Sequence, residues 1–174
     1  MTGSDGVEIG LSRLDTHLIG QVVSINISTG GVPKSRVNGV RVSEWGLEGD
    51  TQNDKKHHGG PERAVCLYSL ERIVALQAEG HPIDVGTAGE NVTVQGLDWE
   101  MVVPGARLRV GRDVVLEVTS FTRPCKTIKG SFTDEKFVRV SQKFHPGWSR
   151  VYARVLSEGE IRRGDRFEVI SAPE

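Results

Sequence analysis

Side-chain character alternates along Gln21-Val22-Val23-Ser24-Ile25-Asn26-Ile27, and Val37 to Val42 repeats the pattern less cleanly. Successive side chains of a strand project to opposite faces, so both stretches read as half-buried strands. Arg107-Leu108-Arg109-Val110 and Val114-Val115-Leu116-Glu117-Val118-Thr119 alternate in the same way. Gly111-Arg112-Asp113 between them has the length and the glycine of a hairpin connection. Val151–Val155 and Phe167–Ile170 supply two further strands, with Gly159 and Gly164-Asp165 as turn signals. The period changes only briefly. Ser69 is placed to cap a helix that puts Leu70, Ile73 and Val74 on one face and stops at Gly80. A weaker helical stripe after Thr133 carries Phe137, Val140 and Phe144. Short strands at this spacing predict a mainly β chain closed into a barrel, with a few short helices.

Composition narrows the setting. The 21 glycines agree with frequent turns, and the length of 174 residues suits one domain with a sizeable core. Met1 to Asp15 shows no strong periodicity, and its ends are expected to fray. With 22 Lys+Arg against 23 Asp+Glu the net charge is −1. No global basic field is available to gather nucleic acid or an anionic membrane, so anion binding must be local. Apolar runs extend only a few residues, far short of the roughly 20 a membrane-spanning helix needs. Two cysteines are too few for a disulfide framework, and no basic-then-apolar leader opens the chain, so the expected compartment is reducing and cytoplasmic.

Candidate chemistry begins at Cys125, in Thr122-Arg123-Pro124-Cys125-Lys126. Two neighbouring cations favour a thiolate, the form that attacks electrophiles or binds metal; the competing reading is a small buried hydrophobe. Cys66, in the apolar run Ala64-Val65-Cys66-Leu67-Tyr68, reads as core packing. Three loops concentrate other reactive side chains. Gly46-Leu47-Glu48-Gly49-Asp50 leads into Asn53 to Arg63, where Gly59-Gly60 lets a ligand or strand approach the backbone and Arg63 offers a planar fork of donors. A turn made by Gly-Gly-Pro is the plainer alternative. His57 and His58 invite a zinc site, but adjacent histidines diverge and no cluster at zinc spacing accompanies them. Gly86-Thr87-Ala88-Gly89-Glu90-Asn91 could meet an anion with backbone N–H groups, or simply turn the chain with Asn91 bonded to local backbone. Lys34, in Ser28-Thr29-Gly30-Gly31-Val32-Pro33-Lys34, offers a point charge or only a solvated one.

In their order and spacing these segments resemble the MOSC domain, the family named for the C-terminal domain of molybdenum cofactor sulfurase, in its small stand-alone bacterial form. The likeness runs from Gly20 through Gly30-Gly31-Val32-Pro33-Lys34, Gly46 to Asp50, His58-Gly59-Gly60-Pro61-Glu62-Arg63-Ala64 and Gly89-Glu90-Asn91 to Arg123-Pro124-Cys125 and Gly164-Asp165.

The resemblance implies one β-barrel domain over residues 20–172, preceded by an extension at residues 1–19, and a molybdenum cofactor site in which Cys125 gives a protein thiolate to molybdenum. A soft thiolate suits a metal that changes oxidation state, beside the two sulfurs of the pterin dithiolene. Lys34, Arg63, Arg123 and the Gly89-Glu90-Asn91 loop, with Gly59 and Gly60, would hold the anionic cofactor. His58, Asp50 and Glu90 match family positions that could equally hold loops in place. Stand-alone members look like reductases of N-hydroxylated small molecules, such as hydroxylamino-purines, amidoximes and N-oxides. Neither a dinucleotide glycine fingerprint nor a multi-cysteine cluster is present, so electrons are expected from a separate flavoprotein or similar reductase. No Schiff-base lysine can be argued for, so no pyridoxal-phosphate site is expected. Two alternatives stand beside a reductase: carriage of the cofactor, and carriage of sulfur as a Cys125 persulfide.

Overall fold

Eleven strands and one α-helix account for most of the regular structure in the computed structural model, which describes residues 17–51 and 59–173. Seven strands close a barrel. Around it run β1 (Ile19–Ile27), β6 (Val92–Gln95), β5 (Val65–Ser69), β9 (Val151–Ser157), β8 (Val114–Phe121), β7 (Arg107–Val110) and β11 (Arg166–Ser171), which pairs back to β1. β2 (Ser35–Val37) extends β1 outside the ring. A separate small sheet joins β10 (Gly159–Arg162), β3 (Gly39–Ser43) and β4 (Gly46–Leu47).

The expected hairpin is β7–β8, with Val110 opposite Val114 across the Gly111 turn. Alternation sets its register: Leu108, Val110, Val114, Leu116 and Val118 point inward and are buried. Inside the barrel they meet Ile25, Leu67 and Phe167, each fully buried and each contributing about 1.5–3 kcal/mol of apolar burial. β5 and β6 run parallel, which requires a crossover, and α1 (Leu70–Ala78) provides it. Its start is as expected: the Ser69 hydroxyl accepts from Arg72 N–H at 3.3 Å.

Four sequence expectations need correction. The buried face of α1 is Ile73 and Leu76, whereas Val74 is 53% exposed, because its position turns it away from the barrel. No α-helix follows Thr133. The segment folds as 3-10 turns at Thr133–Glu135 and Phe137–Val140, with Asp134 and Glu135 at positive φ, and Phe144 is 61% exposed. A helix cannot propagate through that left-handed pair. The stretch from Val37 to Val42 divides at Asn38, whose carbonyl accepts from Arg163 N–H, so its halves join different sheets. Gly159 begins β10 rather than a turn. Among the described residues no helix is long and apolar enough to cross a membrane.

Candidate functional site

A cavity of about 200 Å³ opens at one end of the barrel, where five segments converge. The β1–β2 loop brings Gly31, Val32 and Lys34, β5 brings Cys66, and the loop before β6 brings Ala88 and Gly89. The segment leaving β8 adds Arg123, Cys125, Thr127 and Ile128, and the start of β9 adds Arg150 and Tyr152; Thr51 lies at the rim. Cys125 is half-buried and its backbone is extended, with its carbonyl accepting from Ile128 N–H at 3.1 Å to start a 3-10 turn. Arg123 and Lys126 are both exposed, and of the two Arg123 shares the cavity wall with it.

Gly31 and Gly89, both at positive φ, line the wall, and Gly86 packs behind it. Gly86 has φ 81°, and a Cβ there would lie 2.6 Å from the Lys34 carbonyl oxygen, so the loop can pack on β2's approach only without a side chain. Gly89 has φ 82°, and a Cβ there would meet Val32 at 3.3 Å and Arg150 Nη1 at 3.8 Å, inside the cavity.

Beneath the wall lies a buried polar network. Lys34 Nζ sits 2.7 and 2.8 Å from the two oxygens of Asp50, with both side chains under a tenth exposed. Asp50 also accepts from Ser28 N–H at 2.9 Å and from Asn91 Nδ2 at 2.9 Å. Asn91 grips Cys66 from both sides, its Oδ1 accepting from Cys66 N–H and its own N–H donating to the Cys66 carbonyl. Glu90 is fully buried; its Oε1 accepts from Gly86 N–H at 2.6 Å and from the Thr93 hydroxyl at 3.1 Å, and its Oε2 has no partner.

These contacts fix the geometry around each candidate. Asp50, Glu90 and Asn91 hold backbone in place; Lys34 lines the cavity with its charge already matched by Asp50. Arg63 lies exposed on the 3-10 turn Pro61–Arg63, its guanidinium 5.7 Å from the centre of the Tyr152 ring. Gly60 has φ 93° ahead of that turn, with Gly59 before it, and neither lines the cavity. His58 lies outside the described residues. Cys66, read as core, is buried but also forms part of the wall, opposite Tyr152 in the β5–β9 register. Sequence reasoning missed Arg150 and Tyr152, and no local signal in Ser149-Arg150-Val151-Tyr152 marks them.

Burial raises the acids of this region. It pushes the Cys66 thiol up to about 11 and, as the main cause, the Tyr152 phenol up to about 12. Two pH units correspond to about a hundredfold less Cys66 thiolate. Iodoacetamide at pH 8 should therefore label Cys125 in the native protein and reach Cys66 only after denaturation, as read by peptide mass mapping. Equal native labelling would contradict this.

Burial also raises Glu90 above the ordinary carboxylate value, against lowering contributions from Gly86 N–H, the Glu90 backbone, the Thr93 hydroxyl and Arg150. A raised folded-state pKa gives a stability contribution that is complete below the unfolded value and lost as pH rises through the folded one. Glu90→Gln cannot ionise. Its melting temperature should therefore gain on wild type as pH rises from about 4. A difference that stays flat with pH would show that Glu90 does not titrate this way.

The comparisons with known proteins agree with this architecture. Residues 54–168 match the MOSC domain. YflK of Bacillus subtilis (strain 168) is 33% identical over 150 residues, covering 85% of this chain and 66% of its own length. A Gibberella moniliformis (strain M3125 / FGSC 7600) protein named as a reductase is 32% identical over 151 residues, covering 83% of this chain but 26% of its own. The crystal structure of YiiM from Geobacillus stearothermophilus superposes with a TM-score of 0.64 at 25% identity, over 87% of this chain and 75% of that one. The chain belongs to the MOSC domain family. It thus spans just under two thirds of the Bacillus relative and about a quarter of the fungal one.

Proposed function

We propose that this chain is the terminal component of a molybdenum-cofactor-dependent reductase acting on N-hydroxylated small molecules, with residues 20–172 as its working domain in the cytoplasm. The observation that supports it most is the half-buried Cys125 on the wall of a cavity that also presents Arg123. Among the described residues no three His, Cys, Asp or Glu side chains gather to hold a metal ion. The Cys125 thiol suits a metal arriving with its own sulfur ligands and needing one further protein thiolate. The cavity of about 200 Å³ sets that thiol beside the cationic side chains of Arg123 and Arg150, so the residues present fit an anionic, sulfur-bearing cofactor.

In this reading Cys125 Sγ would be the protein ligand, Arg123 would face anionic parts of the bound molecules, and Gly31 and Gly89 would border the pterin. When bound, the cofactor supplies a centre that takes up oxygen and cycles two electrons. Ile128, Val32 and Ala88 give the cavity an apolar side that limits water around the reacting N–O bond. The Tyr152 phenol, with its raised pKa, stays protonated at neutral pH. The overall change balances as R–NHOH with two electrons and two protons giving R–NH2 and water, the electrons coming from a separate flavoprotein or similar reductase.

The test is expression in a host that makes the cofactor, followed by molybdenum and pterin analysis and turnover of a hydroxylamino substrate. One molybdenum and one pterin per chain are expected, with multiple turnovers from a one-electron reductant and none from NADPH alone. Sustained NADPH-driven turnover by the pure chain would refute the need for a partner. Labile sulfur on Cys125 without metal would favour sulfur carriage, and bound cofactor without turnover would favour cofactor carriage.

A further inference from the structure

Arg150 is the feature of the cavity that neither the sequence motifs nor the proposed ligation accounts for. Its side chain is almost wholly enclosed, the residue being only 6% exposed, and it nonetheless forms part of the cavity wall. Position follows from the sheet: the Arg150 carbonyl accepts from Thr122 N–H at 3.0 Å, continuing the β8–β9 ladder and fixing where the side chain starts. Its Nη1 donates to the Ala88 carbonyl, and its Nε has no partner. Among the described residues no ion pair joins it to a carboxylate, in contrast to Lys34, whose charge is matched by both oxygens of Asp50. Glu90 is close enough to interact with it electrostatically, but Oε1 is taken by Gly86 and Thr93, and Oε2 makes no contact with Arg150.

A buried guanidinium joined to no carboxylate by an ion pair is costly, and a planar fork of donors matches an oxyanion with two oxygens in one plane. Nη1 is held by the Ala88 carbonyl beside Gly89, so the guanidinium is fixed at the cavity wall, and its Nε is left without a partner. From this we infer that Arg150 is the oxyanion-binding residue of the cavity, taking a phosphate or carboxylate group, while Lys34 serves the internal pair with Asp50. The assignment deepens the reductase reading and rests on it for the identity of the natural ligand. Two sources share the chemistry: the terminal phosphate of the pterin, and an anionic group on the substrate.

Inorganic phosphate is the probe, titrated into the full chain purified without cofactor and followed by calorimetry and by 15N-edited spectra of arginine Nε–H groups. The Arg150 signal is identified by its loss in Arg150→Lys. Saturable phosphate binding that moves this signal is expected, with Arg150→Gln weakening binding roughly tenfold or more. Absence of phosphate binding by wild type, or saturation that leaves the Arg150 signal in place, would overturn the assignment even if Arg150→Gln fails to fold.

Repeating the titration on cofactor-loaded protein separates the sources. Loss of the phosphate response assigns the oxyanion to the pterin; a retained response, with phosphate competing against substrate, assigns it to the substrate. The two readings fail separately. Molybdenum and pterin retained with an unresponsive Arg150 would sink only the present assignment. A responsive Arg150 in a protein that never retains pterin would uphold the oxyanion site and sink the cofactor.

Discussion

Cys125→Ala should abolish reduction of a hydroxylamino substrate and reduce molybdenum retention to near background, with little change in the melting temperature. Retention falls because the substitution removes the cavity thiol nearest Arg123 in sequence. The fold should tolerate it: Cys125 is in extended backbone, its side chain makes no capping bond, and the turn that follows depends on its carbonyl. Cys66→Ala should show the opposite balance, keeping metal while losing about 1 kcal/mol of stability, since the sulfur lies in a buried strand. Equal molybdenum content in wild type and Cys125→Ala, measured after expression with ample cofactor, would remove Cys125 from the metal.

The second large effect is on stability. Asp50→Ala should cost about 3–5 kcal/mol, lowering the melting temperature by roughly 10 °C. Asp50 accepts two bonds from Lys34, one from Ser28 N–H and one from Asn91, and truncation strands a nearly buried ammonium. Adding Lys34→Met should recover part of that loss, because the unpaired charge leaves with the lysine. A double variant no more stable than Asp50→Ala would mean that the bonds to Ser28 and Asn91, rather than the buried charge, carry the effect.

How far the chain could be read follows from how local each feature is. The β7–β8 hairpin was legible because Gly111 and strict alternation lie within one short stretch. The helix start was legible because Ser69 caps Arg72 only three residues on. Cys125 and the glycine loops stood out through their immediate neighbours. The inner strands β5 and β6 gave no alternation, since Val65–Ser69 is buried throughout and Val92–Val94 likewise. The stripe of Phe137, Val140 and Phe144 misled because periodicity ignores backbone conformation, and the positive φ at Asp134 and Glu135 breaks the helix. Lys34 and Arg150 depended on partners far away in the chain. Whether a cation is matched by Asp50 or left facing a cavity is decided by the closed barrel, which local sequence does not show.

The ring closes by pairing Ile19 with Glu168, near opposite ends of the described chain. The cavity wall likewise draws on residues from Gly31 to Tyr152, so no contiguous stretch contains it. Such non-local pairing places this topology among the slower folders, since loop closure must be completed before its contacts form. A nascent chain that ends before residue 150 has no Arg150 or Tyr152, and hence no complete pocket. Any molecule held there also bridges β1's loop to β9. It therefore favours the closed ring over the open chain by mass action, and loading the site and finishing the fold become one thermodynamic event.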